Sequence, residues 1–393
     1  MEISKRLQSL KPSATIGMAA KARELRAAGK DIISLSLGEP DFETPDFIKS
    51  AAIEAIHQNY NHYSPIGGFE DLKKAISNKF RRDNGLDYST SQIVVSTGAK
   101  QAIYNVIMAL VNEGDEVILP VPYWVSYSDI VGLAGGKVVE IETGVEQDFK
   151  MTPEQLEKSI TEKTKVLMYS SPCNPSGSVY SAEELAALAE VLKKYPKITV
   201  VSDEIYEFIT YGEKMASMAK VLGMYEQTVT INGLAKGYAM TGWRIGYIGA
   251  PEKIAKACEK LQGQVTSGTN SIAQRAAITA LEADPSQLRY MVDAFERRRS
   301  LVMEMATEIP GFRLTKPQGA FYIFPDVSAY FGKELKGTKI NSANDLAMFI
   351  LEEAEVACVA GEAFGSPNCI RMSYASSEET LREAFARIKK ALS

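Results

Sequence analysis

At 393 residues, with 45% hydrophobic and 24% charged side chains, the chain has room for two or three domains, or one large domain and a satellite. Its composition is too ordinary for disorder, a collagen repeat or a coiled coil. Against 49 Asp and Glu stand 44 Lys and Arg, a net charge of −5, so no summed positive field draws nucleic acid or anionic lipid, and any anion must be held locally.

From Ile32 to about Val201, short β-branched or apolar runs alternate with amphipathic stretches. The spacing predicts strands at Ile32–Leu37, Gln92–Ser96, Glu116–Leu119, Val138–Ile141, Lys165–Tyr169 and Ile198–Ser202. Helices are expected between them at Asp46–Asn59, Phe69–Asn84, Ala99–Val111, Tyr123–Ala134 and Ala182–Tyr195. Such alternation means an α/β fold with a mostly parallel sheet and helices on both faces. Two more strands, Thr228–Ile231 and Ile245–Ile248, flank an unusual loop. Beyond Pro251 come helices at Pro251–Gln264, Ser271–Glu282 and Ser286–Glu308; the last carries Arg297, Arg298 and Arg299, read as a solvated or interface face. Short strands (Ala320–Phe324, Val356–Ala360, Cys369–Ser373) and helices (Asn344–Glu355, Ser377–Ala391) close the chain as a smaller α+β unit. Apolar runs stop short of the ~18 residues a membrane span needs, and Met1–Leu10 lacks a signal-peptide core, so a cytoplasmic protein without membrane contact is expected.

Cys173, Cys258, Cys358 and Cys369 form no Cys-x-x-Cys pair, which fits reduced thiols, and His57 and His62 are the only histidines. A zinc site or a Ser-His-Asp triad therefore lacks raw material. Lys, Tyr, Asp and a borrowed cofactor remain.

In an open parallel sheet, ligands bind beyond the carboxyl ends of the strands. There lie Thr97-Gly98-Ala99-Lys100, a helix start able to hold a phosphate on backbone N–H groups, though on its own it reads equally as a plain small-residue helix start. Asp203 ends a run that reads as buried and needs a cation or a cap. Lys236, flanked by Ala235 and Gly237, lacks a neighbouring carboxylate; desolvated, it could act as a nucleophile toward an aldehyde. Arg244 follows eight residues later. Lysine for a Schiff base, aspartate for a ring nitrogen, and arginine with helix-start amides for a phosphate are what pyridoxal phosphate requires. Trp124 could stack on a flat ring, and Asn174, held between Pro172 and Pro175, could bond a ring hydroxyl.

The strings A-K-G-Y-A-M-T-G-W-R-I-G-Y, S-P-C-N-P-S-G, V-S-D-E-I-Y, P-Y-W and R-M-S-Y-A resemble those of the class I aminotransferases, fold type I pyridoxal phosphate enzymes. L-K-P-S-A-T and S-L-G-E-P-D-F-E-T-P are similar to the shorter bacterial aspartate aminotransferase subgroup. The likeness spans essentially the whole chain. It implies that Lys236 carries the cofactor and later shuttles the substrate Cα proton, that Asp203 holds the ring nitrogen protonated, and that Tyr206 and Asn174 bond the ring 3′ oxygen beneath Trp124. It further implies a phosphate cradle of Arg244 with Gly98, Ala99 and Lys100, and Arg371 as the fork for the substrate α-carboxylate, assisted by Gly38. Tyr63 matches a tyrosine that reaches the cofactor of a neighbouring subunit, which implies a homodimer with shared sites.

Gly233 and Ala235 stand where many relatives have Ser-x-Ser, and Cys173 replaces an asparagine. Lys11, Ser13, Thr15 and Lys100 are the candidates for a side-chain carboxylate. The resemblance thus implies ping-pong exchange between aspartate or glutamate and 2-oxoglutarate or oxaloacetate. An aromatic amino acid or prephenate as partner is the alternative, and a lyase using the same cofactor a remote one. The implied division is a cofactor domain at 46–285, with 1–45 and 286–393 as N-terminal arm and small domain.

Overall fold

The computed structural model describes residues 2–8, 10, 14–212 and 214–393. Its centre is a seven-stranded sheet: β1 Ile93–Thr97, β2 Glu116–Pro120, β3 Lys137–Ile141, β4 Thr164–Ser170, β5 Thr199–Asp203, β6 Thr228–Gly233 and β7 Ile245–Gly249. The spatial order is β1-β7-β6-β5-β4-β2-β3. Only β7 pairs antiparallel, with β1 and β6 on either side. The carboxyl ends of the other six therefore share one edge with the start of β7.

The strands read as continuous apolar runs because both faces are covered. Ile118, Leu167 and Val200 pack with Leu185, Leu188 and Leu192 of the helix Ala182–Leu192. Val117, Met168, Val201 and Val229 turn the other way, onto Ile103, Val106 and Ile107 of α1, Ala99–Leu110. Each such fully buried aliphatic side chain contributes ~1.5–3 kcal/mol relative to exposure.

The smaller unit has a three-stranded antiparallel sheet, with Ile370–Ser373 between Val359–Ala360 and Tyr322–Ile323. The helices Ala343–Glu353 and Glu378–Leu392 cover it. Near the chain start, Ile33–Ser34 pairs parallel with Val356–Ala357, joining both chain ends in this unit. The long helix α2, Arg289–Thr307, belongs to two cores: Met291 packs with the central sheet, Phe295, Val302 and Ala306 with the smaller unit.

The seven strands of the central sheet each lie within one or two residues of their expected ends. Ile32–Leu37 shrinks to two paired residues, Ile33–Ser34; Leu35 still bonds Ala357 and Ser373 through its backbone, and beyond it the Ser36 and Gly38 carbonyls accept bonds from Arg371 and Lys236. The helix expected at Phe69–Asn84 ends at Lys79 and continues as a π turn, Phe80–Asn84, closed by Gly85 in the left-handed region. A hairpin, Glu334–Leu335 with Thr338–Lys339, was not expected; Lys336 and Gly337 both take positive φ at its turn. The arginine run is not a solvated face. Arg297 is exposed, but Arg298 and Arg299 are buried, Arg298 on Asp41 and Arg299 over the Tyr211 ring.

Candidate active site

A cavity of about 620 Å³ opens at the shared strand edge, between the two units. Lys236, Asp203, Tyr206, Asn174, Trp124, Ala99, Lys100, Arg244, Arg371, Gly38 and Thr15 all line it. Gly98 lies immediately behind, where a Cβ would run into the Arg244 guanidinium. Lys11 and Ser13 lie outside the described residues. Tyr63 does not line the cavity of its own chain and is 98% exposed.

Asp203 sits at the end of β5, 5% exposed. Tyr127 donates its hydroxyl to Oδ2 at 2.6 Å, and the Ile205 N–H reaches Oδ1 at 3.2 Å. No ion pair offsets the charge among the described residues, and burial pushes the carboxyl up to about 6 despite those two bonds. Such a floor suits a cationic ring nitrogen. The stability consequence has a definite sign. A folded value above the ordinary one favours the neutral acid, a contribution present below pH 4 and lost as pH rises through about 6. At pH 7.5 the buried carboxylate thus costs the cofactor-free protein up to ~3 kcal/mol. We expect Asp203→Asn to raise the melting temperature of cofactor-free protein at pH 7.5 and to match the parent at pH 4. Equal melting temperatures at pH 7.5 would count against an uncompensated charge there.

Lys236 is in the loop after β6. Its Nζ donates to the Gly38 carbonyl at 2.5 Å and lies 5.7 Å from the centre of the Tyr206 ring. Burial lowers its amine to about 8; Glu39 opposes this, while Arg371 and Arg244 assist. Roughly a tenth of the amine is therefore free at pH 7, far more than for an ordinary lysine, and is available as nucleophile and base.

At one end of the cavity, Gly98 caps α1 at φ +82°, and among the described residues no side chain bonds the first N–H groups of that helix. Gly246 lacks a Cβ that would strike the Ala99 backbone, so β7 can press against the helix start. Arg244, at φ 59°, bonds the Thr241 carbonyl at 2.9 Å and has no carboxylate in ion-pair range among the described residues. Together these amides and the cation make an anion cradle. Gly233 is packed so that a Cβ would come within 2.7 Å of the Ile245 carbonyl. Lys100 reaches 4.8 Å from the Trp124 ring centre, and desolvation followed by Arg244 lowers its amine.

At the opposite end, Arg371 is 2% exposed. It donates to Asn174 Oδ1 at 2.8 Å and to the Ser36 carbonyl at 2.6 Å, and lies over the rings of Tyr322 and Phe364. Its Nε is buried with no hydrogen-bond partner, and no carboxylate pairs with it among the described residues. A buried guanidinium kept without its counter-ion is a binding site for one. Because Asn174 gives its oxygen to Arg371, its amide N–H groups remain for the cavity. Tyr206 and Tyr322 share a hydroxyl contact of 2.7 Å beside them, and burial holds both phenols above their usual range.

Three contributors were not anticipated. Tyr127 braces Asp203 and could have been suspected from its place one turn after Trp124. Tyr322 and Glu39 carry no local signal, being brought in by the smaller unit and the 36–44 segment. Among the described residues, no group of three His, Cys, Asp or Glu side chains could hold a metal ion.

Residues 30–388 match the sequence pattern of aminotransferase class I and II. The chain belongs to that family. It is 48% identical over 391 residues to the aspartate/prephenate aminotransferase of Cereibacter sphaeroides, covering 98% of each chain. With the aspartate aminotransferase of Bacillus subtilis it shares 46% over 392 residues, 99% of this chain and 98% of that one. Among solved structures, the aspartate aminotransferase from Rhizobium meliloti superposes with TM-score 0.97 at 42% identity, over 100% of this chain and 99% of that one. The aspartate aminotransferase from Thermus thermophilus with maleate gives 0.94 at 42%, over 100% of both chains. The aminotransferase has no helix, among the described residues, long and apolar enough to cross a membrane.

Proposed function

We propose that this aminotransferase uses pyridoxal 5′-phosphate to move the amino group of aspartate or glutamate to 2-oxoglutarate or oxaloacetate by ping-pong exchange. One observation carries the reading. A buried carboxylate that makes no ion pair among the described residues (Asp203), a lysine with lowered basicity (Lys236) and a glycine-capped helix start beside Arg244 converge on one cavity. They complement, in turn, the ring nitrogen, aldehyde and phosphate of that cofactor. Bound there, it supplies a carbonyl that takes up the amino group and a ring that delocalises the electrons left on Cα.

The remaining work falls to the chain. Arg371 takes the α-carboxylate on its fork, beside Gly38. The Lys236 amine removes the Cα proton and returns it, covering the role that histidine fills in many other enzymes. Asp203 keeps the ring nitrogen protonated, Tyr206 and Asn174 bond the 3′ oxygen, and Trp124 stacks on the ring. The backbone of the helix start at Gly98, Ala99 and Lys100, with the Arg244 guanidinium, holds the phosphate. Lys100 and Thr15, with Lys11 and Ser13 from the preceding segment, receive the distal carboxylate of an acidic substrate.

Donor kinetics test the substrate. We expect kcat/KM for aspartate to exceed that for phenylalanine, and a tenfold or greater preference for phenylalanine would refute the assignment. We further expect Lys100→Met to lower kcat/KM for aspartate by ~10-fold or more, the worth of a charge-assisted bond, with little change for phenylalanine. Prephenate as acceptor is the second reading, favoured by the name of the Cereibacter sphaeroides relative.

We also propose a homodimer with shared sites, in which Tyr63 of the partner subunit reaches the phosphate. The 98% exposure of Tyr63, together with exposed Ile53 and Ile56 on the helix Asp46–His57, supports it. Sedimentation should give twice the chain mass, and a monomer active at full rate would contradict it. Residues 46–285 are assigned to the cofactor domain, 1–45 and 286–393 to the arm and small domain. A cytoplasmic location fits four free, buried cysteines.

A further inference from the structure

The segment from Ser36 to Thr44 crosses the cavity and meets the functional side chains with its backbone. The Ser36 carbonyl accepts from Arg371 at 2.6 Å and the Gly38 carbonyl from Lys236 at 2.5 Å. Farther on, Thr44 Oγ1 donates to the Ala239 carbonyl at 2.6 Å and accepts from Trp243 at 3.0 Å. Between these anchors, Asp41 receives both Nη atoms of Arg298, at 2.7 and 2.9 Å. Among the described residues this is the only ion pair made by the segment.

The pair differs from a surface bridge in two respects. Arg298 is 9% exposed and lies 5.1 Å from the centre of the Phe42 ring, which in turn packs edge-on against Phe295 of the same helix. A planar two-pronged contact held in that way fixes orientation as well as distance. In addition, α2 runs through both cores, and Arg298 lies beyond the point where its packing passes from the central sheet to the smaller unit. The segment has no slack on its far side either, since a Cβ at Gly38 would strike the Tyr322 hydroxyl.

We propose that Arg298 is a positioning residue for the amino-transfer reaction. Through Asp41 it holds the 36–44 segment where the Gly38 carbonyl meets the Lys236 amine and the Ser36 carbonyl orients the Arg371 fork. Because its helix is shared, it ties that placement to the smaller unit. Loss of the fork frees the segment between its two ends, so the amine loses its acceptor and the guanidinium one of its two supports. Turnover falls more than substrate affinity, because the proton-transfer geometry is the more sensitive of the two to small displacements.

The test compares Arg298→Met, Arg298→Lys and Asp41→Asn with the parent holoenzyme by steady-state kinetics and amide hydrogen exchange. The kinetic arm rests on the proposed reaction; the exchange arm needs no turnover, so a wrong substrate assignment leaves it readable. Expected are ~10-fold faster exchange in residues 35–44, with exchange in β6 unchanged, and a kcat lower by ~10-fold or more with a smaller change in KM. Arg298→Lys keeps the buried charge without the fork, so it carries the test if Arg298→Met does not fold, and it should show the same pattern. Unchanged exchange in 35–44, or faster exchange with kcat unchanged, overturns the proposal. A lower melting temperature with both readouts unchanged shows a structural role only and overturns it as well.

Discussion

Replacing Lys236 with alanine is expected to lower kcat for amino transfer by ~10⁴-fold or more, because in the proposed mechanism one side chain is both the attachment point and the base, and a positioned base alone contributes 10²–10⁴. Among the described residues, Lys100 is the other lysine lining the cavity, and its amine lies over the Trp124 ring and makes no hydrogen bond to the Gly38 carbonyl that marks the position of the Lys236 amine. The fold should survive the change, since the lysine makes no ion pair and its loss removes a buried amine whose charged form burial disfavours. Rapid-quench measurement of keto acid formed from aspartate is the check. Turnover within tenfold of the parent in folded Lys236→Ala protein would remove the lysine from its assigned role.

Arg371→Lys is the second large effect. The guanidinium is enclosed by Asn174, the Ser36 carbonyl and two aromatic rings, with Nε and the cavity-facing side left for a carboxylate. A lysine keeps the charge but supplies a point donor in place of a fork, and it leaves the Asn174 oxygen and the Ser36 carbonyl competing for one ammonium. Loss of a desolvated, hydrogen-bonded charge contact costs ~2–5 kcal/mol, so kcat/KM should fall roughly 30- to 4000-fold. Every amino donor should suffer alike, because the α-carboxylate is common to all. That uniformity separates Arg371 from Lys100, whose loss is expected to discriminate between acidic and aromatic donors.

Much of the site was legible because the sheet was. Continuous β-branched runs mark the buried strands, and inspection of their carboxyl ends finds Gly98, Trp124, Asn174, Asp203 and Lys236. Arg244 joins them for a topological reason: β7 runs antiparallel, so the residue just before it returns to the edge that Lys236 leaves. The illegible parts depend on partners distant in sequence. Arg298 and Arg299 look like one solvated run until Asp41, 257 positions away, and Tyr211 are placed beside them. Tyr127 and Tyr322 are unremarkable aromatics until their hydroxyls meet Asp203 and Tyr206. The strand expected at Ile32–Leu37 has the right side chains, but its backbone pairing stops after Leu35, where the Ser36 carbonyl serves Arg371 instead of a ladder. Local pattern therefore places the residues that end strands, while long-range polar pairing decides which neighbours tune them.

The central claim is an amino-group exchange in two halves on one lysine-bearing site. It is tested most directly by mixing holoenzyme with aspartate alone, without a keto-acid acceptor, and measuring oxaloacetate and ammonia per chain. One equivalent of oxaloacetate and no ammonia are expected, with turnover resuming only when 2-oxoglutarate is added. Continuous release of ammonia or of more than one keto acid per chain without acceptor would contradict it.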